Sequence, residues 1–73
     1  MKPNGALLRS GRIEGGYSLS ELARELGIDK GQLSKAERDL EGMSLKKLKQ
    51  LSIKLEIPMN KLVPELAELQ DAA

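Results

Sequence analysis

The sequence predicts an all-α fold, a compact five-helix domain, and three observations carry that expectation. β-branched residues are too scarce for a sheet: there are only Ile13, Ile28, Ile53, Ile57 and Val63, with no Thr. Apolar residues recur at helical spacing, most clearly Leu22, Ala23, Leu26, Ile28, Leu33 and Ala36. Side chains that favour helix starts stand ahead of the stripes at Asn4, Ser18, Asp29 and Ser44. With 73 residues the chain makes one domain with a small core. A chain this short hides only about 60% of its unfolded surface, so the core must be economical.

In order, residues 1–4 read as a loose lead-in, because Pro3 cannot donate a backbone hydrogen bond. Asn4 can cap a first helix running to about Glu14, with Leu7, Leu8 and Ile13 as its buried contacts and Gly15-Gly16 as its stop. Tyr17 can then pack on the next helix as a staple, and Ser18 with Glu21 forms a capping box in which each side chain satisfies the other's amide. Gly27 ends that second helix. Asp29 opens a third over residues 30–38, placing Lys30, Gln32, Ser34 and Lys35 in its exposed first turns while Leu33 and Ala36 face inward.

Residues 39–43 form a loop, after which Ser44 caps a fourth helix whose Leu45, Leu48, Leu51, Ile53 and Leu55 contain an inward stripe. Pro58 suits the start of a fifth helix, with Met59, Leu62 and Val63 turned inward. Pro64 then imposes a stop or a kink, and residues 64–73 read as a helical extension or tail, with Leu66 and Leu69 on one side. The organised domain is residues 5–63.

Composition excludes several functions. There is no Cys and no His, which removes disulfides, thiolate metal sites and imidazole acid–base chemistry. We therefore read the chain as neither an enzyme nor a holder of a metal or cofactor. No apolar run approaches a membrane span and no secretory pattern opens the chain, which points to the cytoplasm of a bacterial or phage-infected cell. The net charge of +1 says little, but its distribution says more. Residues 44–55 carry Lys46, Lys47, Lys49 and Lys54 with no acid, whereas residues 65–73 carry Glu65, Glu68 and Asp71 with no base.

Ala23, Gly27 and Leu33 supply the small residue, the turn residue and the buried residue that two steeply crossing helices require. Together with Ser18, Glu21-Leu22-Ala23, Leu26-Gly27-Ile28, Leu33-Ser34-Lys35, Glu37-Arg38, Ser44-Leu45, Leu48, Leu51, Leu55 and Leu62, this pattern resembles the Cro/repressor family of phage and bacterial regulators. That is the lambda-repressor-like, xenobiotic-response-element class of helix-turn-helix proteins, and the resemblance covers about four-fifths of the chain. The chain departs from the pattern at four places. Leu19 stands where many members carry a phosphate-bracing Gln, Gly11 where an aliphatic residue is usual, and Asp39 where a Gly often follows the recognition helix. Gly31 occupies a base-reading position without a side chain.

The resemblance implies sequence-specific binding of double-stranded DNA, with the third helix in the major groove. Base-reading positions fall on Lys30, Gly31, Gln32, Ser34 and Lys35; Lys suits guanine O6 and N7, and Gln can bond adenine N6 and N7. Candidate phosphate contacts are Arg12, Ser18, Ser20, Arg38, Lys46 and Lys47, with the amides at the start of the second helix forming an anion site. Glu37 is expected in a structural ion pair, for instance with Arg24. Proteins of this kind usually bind as two-fold dimers on half-sites about 34 Å apart, so a homodimer formed on DNA is expected. The competing reading is a protein-interaction module, such as an antitoxin or anti-repressor, engaging a partner through Leu66, Leu69 and the acidic tail.

Overall fold

The computed structural model describes the backbone of residues 1–71 and the side chains of residues 1–67. The described residues form six helices and no strand: α1 (Gly5–Glu14), α2 (Leu19–Leu26), α3 (Lys30–Glu37), α4 (Leu45–Leu55), α5 (Met59–Leu62) and α6 (Pro64–Asp71). The count exceeds the expected five because Pro64 does stop a helix, and then opens another at its first position, where a missing N–H costs nothing. Within α6 the side chain of Leu66 packs against the core, while that of Leu69 lies outside the described residues.

Local chemistry sets the boundaries. The side chains of Asn4, Ser18, Asp29 and Ser44 accept from the amides of Leu7, Glu21, Gln32 and Lys47 and so satisfy the orphan donors of four helix starts. At Ser18 the capping box is complete: Glu21 N–H donates to the Ser18 hydroxyl at 3.1 Å and Ser18 N–H to the Glu21 carboxylate at 3.4 Å. Gly27 closes α2 at φ +65°, a left-handed conformation that is costly for residues bearing a Cβ. The three-residue link of Gly27, Ile28 and Asp29 turns the chain sharply into α3.

Leu8, Leu22, Leu33, Leu48, Leu51, Leu62 and Val63 are fully buried, one or more from each of α1 to α5 and the residue after α5. Each such side chain contributes roughly 1.5–3 kcal/mol of transfer free energy. The core therefore lies where these five helices converge. Ile13, expected as a buried contact, does not join it at 54% exposed, and on α4 Leu45 at 45% and Ile53 at 79% fall outside the inward stripe. α1 and α4 carry more apolar positions than one face can hold, and Leu8 on the first and Leu48 and Leu51 on the second take the inward places.

The amino terminus is not loose. Met1 and Met43 exchange two bonds, Met43 N–H to the Met1 carbonyl at 2.8 Å and the Met1 ammonium to the Met43 carbonyl at 3.3 Å. Pro3 is buried, and Asn4 N–H donates to the Leu62 carbonyl at 2.7 Å. Two departures from the family pattern also find their cause. Above Gly11 the space a larger residue would fill is taken by Ile57, whose Cδ1 lies 2.6 Å from where a Cβ would stand. Asp39 adopts φ +59°, doing the backbone work of a glycine while its carboxylate accepts from Gly5 N–H at 2.9 Å.

Candidate nucleic-acid interface

α3 is held from behind and open in front. Leu33 and Ala36 have no solvent exposure, whereas Lys30, Gly31 and Lys35 are exposed and Gln32 and Ser34 half-buried. Those five are the positions assigned to base reading from the sequence, and they occupy the first six residues of the helix. The Asp29 carboxylate caps the start, accepting from Gln32 N–H at 3.0 Å, and so fixes the direction in which the first turn leaves the core. Gly31 leaves open space on its outer side, with the Asp29 carboxylate the near neighbour of a Cβ placed there, at 3.0 Å.

The far end of α3 is clamped to α1. Arg12 Nε donates to Glu37 Oε2 at 2.6 Å and Arg12 Nη2 to Glu37 Oε1 at 3.1 Å, a bidentate pair. A third donor, Nη1, reaches the Tyr17 carbonyl at 3.0 Å. The two side chains are only 13% and 6% exposed. The hydrogen bond to Glu37 raises the Arg12 pKa against the opposing effect of burial, so the guanidinium stays charged. Glu37 therefore takes its structural partner from Arg12 rather than Arg24, a pairing across 25 residues that no helix spacing announces. Arg12 itself, a candidate phosphate contact, engages three of its five N–H groups inside the protein and is only 13% exposed.

The remaining candidate cations flank α3. Arg38, at its end, is exposed and turns Nε to the Ser34 carbonyl at 3.4 Å. Lys46 and Lys47 stand in the first turn of α4, Lys46 exposed and Lys47 half-buried, with Lys47 Nζ donating to Gln32 Oε1 at 2.9 Å. Ser18 and Ser20 are exposed at the start of α2, where the Ser18 hydroxyl is already engaged by the capping box. The Gln32–Lys47 contact was missed from the sequence, because each residue had an independent assignment and nothing in the spacing links them.

On another side, Lys54 Nζ donates to Glu25 at 3.2 Å and sits 5.4 Å from the Tyr17 ring centroid. Glu25 is the main cause that raises the Lys54 pKa, with a smaller contribution from Tyr17. Tyr17 and Lys54 border a pocket of about 400 Å³ between the ends of α1 and α4, lined also by Glu14 and Glu56 among others and by no residue of α3. Among the described residues there is no cluster of acids that could hold a metal ion, and no helix long and apolar enough to cross a membrane.

Comparison with known proteins meets this geometry directly. A family model described as helix-turn-helix matches residues 8–62, from within α1 to the end of α5. The chain belongs to the helix-turn-helix family. Its members' defining pair of helices corresponds here to α2 and α3, and the resemblance carried by residues 18–38 is thereby that of a Cro/repressor-type protein. Among curated relatives the chain is similar to the HTH-type transcriptional regulator SinR of Bacillus subtilis (strain 168), 37% identical over 67 residues, which is 90% of this chain and 60% of the relative. The chain thus spans about three-fifths of the length of the curated relatives it matches.

Solved structures agree. A crystal structure of SinR, described as the master regulator for biofilm formation, in complex with DNA superimposes with a TM-score of 0.72 and 39% identity, covering 80% of this chain and 94% of that one. A SinR/SinI protein complex matches with a TM-score of 0.75 and 38% identity over 89% of this chain and 64% of that one. The all-helical helix-turn-helix fold is common to all three.

Proposed function

We propose that this chain binds double-stranded DNA sequence-specifically as a small Cro-like or repressor-like transcriptional regulator, laying α3 in the major groove. The observation that carries the reading is the two-sidedness of α3: Leu33 and Ala36 are sealed in the core while Lys30, Gly31, Gln32, Ser34 and Lys35 face outward from one end. A groove about 12 Å wide admits one helix, and base edges there offer acceptors that lysines and amides can meet. The SinR crystal structure with DNA supports it, since that chain matches 80% of this one at 39% identity.

Positioning falls to the phosphate contacts. The exposed amino end of α2, with Ser18 and Ser20, presents backbone amides and the positive end of the helix dipole. Lys46, Lys47 and Arg38 flank the groove-facing helix. Arg12 stands outside this set because it is only 13% exposed and its charge is already paired with Glu37. Binding as a two-fold homodimer assembled on DNA completes the reading, and repression follows by occupying an operator. No catalytic step is involved.

The test is selection of duplexes from a random DNA library at moderate salt, repeated with Lys30→Ala and Lys35→Ala combined. Enrichment of an inverted repeat with half-sites roughly 10 bp apart, lost in the double variant, is the expected result. A single asymmetric motif would replace the dimer by a monomer. Equal enrichment by the double variant would remove α3 as the reading element.

A further inference from the structure

The contact between Lys47 and Gln32 joins the amino-terminal turn of α4 to that of α3, across 15 residues of sequence and at 2.9 Å. Its chemistry is directional. An ammonium carries three donors and no acceptor, so the Gln32 amide has to turn its oxygen toward Lys47 and its NH₂ away. The bond is charge-assisted, hence stronger than one between neutral groups. Gln32 is half-buried and its backbone start is set by the Asp29 cap, so the contact with Lys47 is what orients the amide.

An unassisted glutamine reads adenine by accepting from N6–H and donating to N7 at once. Here Oε1 already accepts from Lys47, and although a second lone pair remains, an adenine amino group approaching it would bring its own positive hydrogens beside the ammonium. What the pair offers outward is a set of donors: the two N–H bonds of Gln32 and those of the ammonium not used on Oε1. Guanine presents two acceptors in the major groove, N7 and O6, and no donor near them. We propose that Lys47 is a positioning residue that sets the base preference of Gln32, turning a side chain suited to adenine into one that selects guanine.

This inference rests on the DNA-binding reading above and deepens it, and the experiment separates the two. Sites are selected from a random library with the wild-type chain, and duplexes differing at single base pairs are then compared for wild type, Lys47→Met, Gln32→Ala and the double variant. Lys47→Met keeps the aliphatic stem and removes the charge, and thermal melting confirms that each variant is folded. The wild type is expected to select guanine at one position where Gln32→Ala abolishes preference. Lys47→Met should move that position toward adenine by about tenfold, the size of one good base contact, and leave the rest of the site unchanged. Gln32→Ala should erase the shift. An equal loss of affinity for every site with an unchanged preference would make Lys47 a phosphate contact alone and overturn the proposal. So would a wild type that prefers adenine at the Gln32-dependent position. Failure of the wild type to enrich any sequence would instead overturn the DNA-binding reading itself, and this inference with it.

Discussion

The backbone amide of Gly5 donates to the carboxylate of Asp39 at 2.9 Å, tying the first residue of α1 to a residue just past the end of α3. The approach is so close that a Cβ on Gly5 would stand 2.5 Å from the Glu37 carbonyl oxygen, 2.7 Å from Asp39 Oδ1 and 2.8 Å from the Ala36 carbonyl oxygen. Two of those three atoms are backbone, which cannot swing aside. Gly5→Ala should therefore destabilise the fold by about 1–3 kcal/mol despite the better helix propensity of alanine, as overpacked sites do. Urea denaturation reads the change as a lower midpoint with an unchanged slope.

Arg12 and Glu37 give a second prediction. With Glu37 only 6% exposed, Arg12→Met leaves a nearly buried carboxylate without its guanidinium, at a cost of about 3 kcal/mol. Combining it with Glu37→Leu should recover most of the loss, because no buried charge is then left alone. A double-mutant cycle in urea measures the coupling. The raised Arg12 pKa means its contribution is fully present below the ordinary arginine value and is lost only as pH rises through the higher folded-state value. Stability should thus show no loss of this pair between neutral pH and moderately alkaline conditions.

Gly11 and Ile57 should behave non-additively. A Cβ on Gly11 meets Ile57 Cδ1, the far end of a side chain that can move or be shortened. Ile57→Val alone removes a buried methyl and costs about 0.5–1.5 kcal/mol. Gly11→Ala placed in the Ile57→Val background should return up to about 1 kcal/mol, the difference in helix propensity, without the clash. Thermal melts of the four chains check the sign.

For DNA, Lys46→Ala should weaken binding to all sequences alike and lower the salt slope by about 0.9, the signature of one lost phosphate contact. Titrations at several salt concentrations give the slope. Lys30→Ala with Lys35→Ala should instead reduce discrimination between a selected site and random duplex.

The helix boundaries were legible because caps act over three residues: Asn4, Ser18, Asp29 and Ser44 each satisfy an amide within their own helix. The inward and outward faces of α3 were legible for the same reason, since Leu33 and Ala36 sit on one side of a short helix with polar residues on the other. Pairings across the fold were not. Arg12 to Glu37, Gly5 to Asp39 and Lys47 to Gln32 depend on how helices cross, and single-chain spacing carries no record of a crossing. Surplus apolar residues misled in the other direction: Ile13, Leu45 and Ile53 share helices with better-placed leucines and remain at the surface.

Arg12 grips Glu37 in the last turn of α3, Gly5 holds Asp39 just after it, and Met1 holds Met43 a few residues on. The opposite end projects with Lys30, Gly31 and its neighbours exposed, steadied by a cap and one lysine side chain. The ties to α1 and to the chain beyond α3 thus gather at the end away from the exposed lysines, while buried Ile28 and Leu33 seat the other end on the core. The side chains offered at that surface can therefore be exchanged at Lys30 or Lys35 without touching the contacts that hold the helix in place.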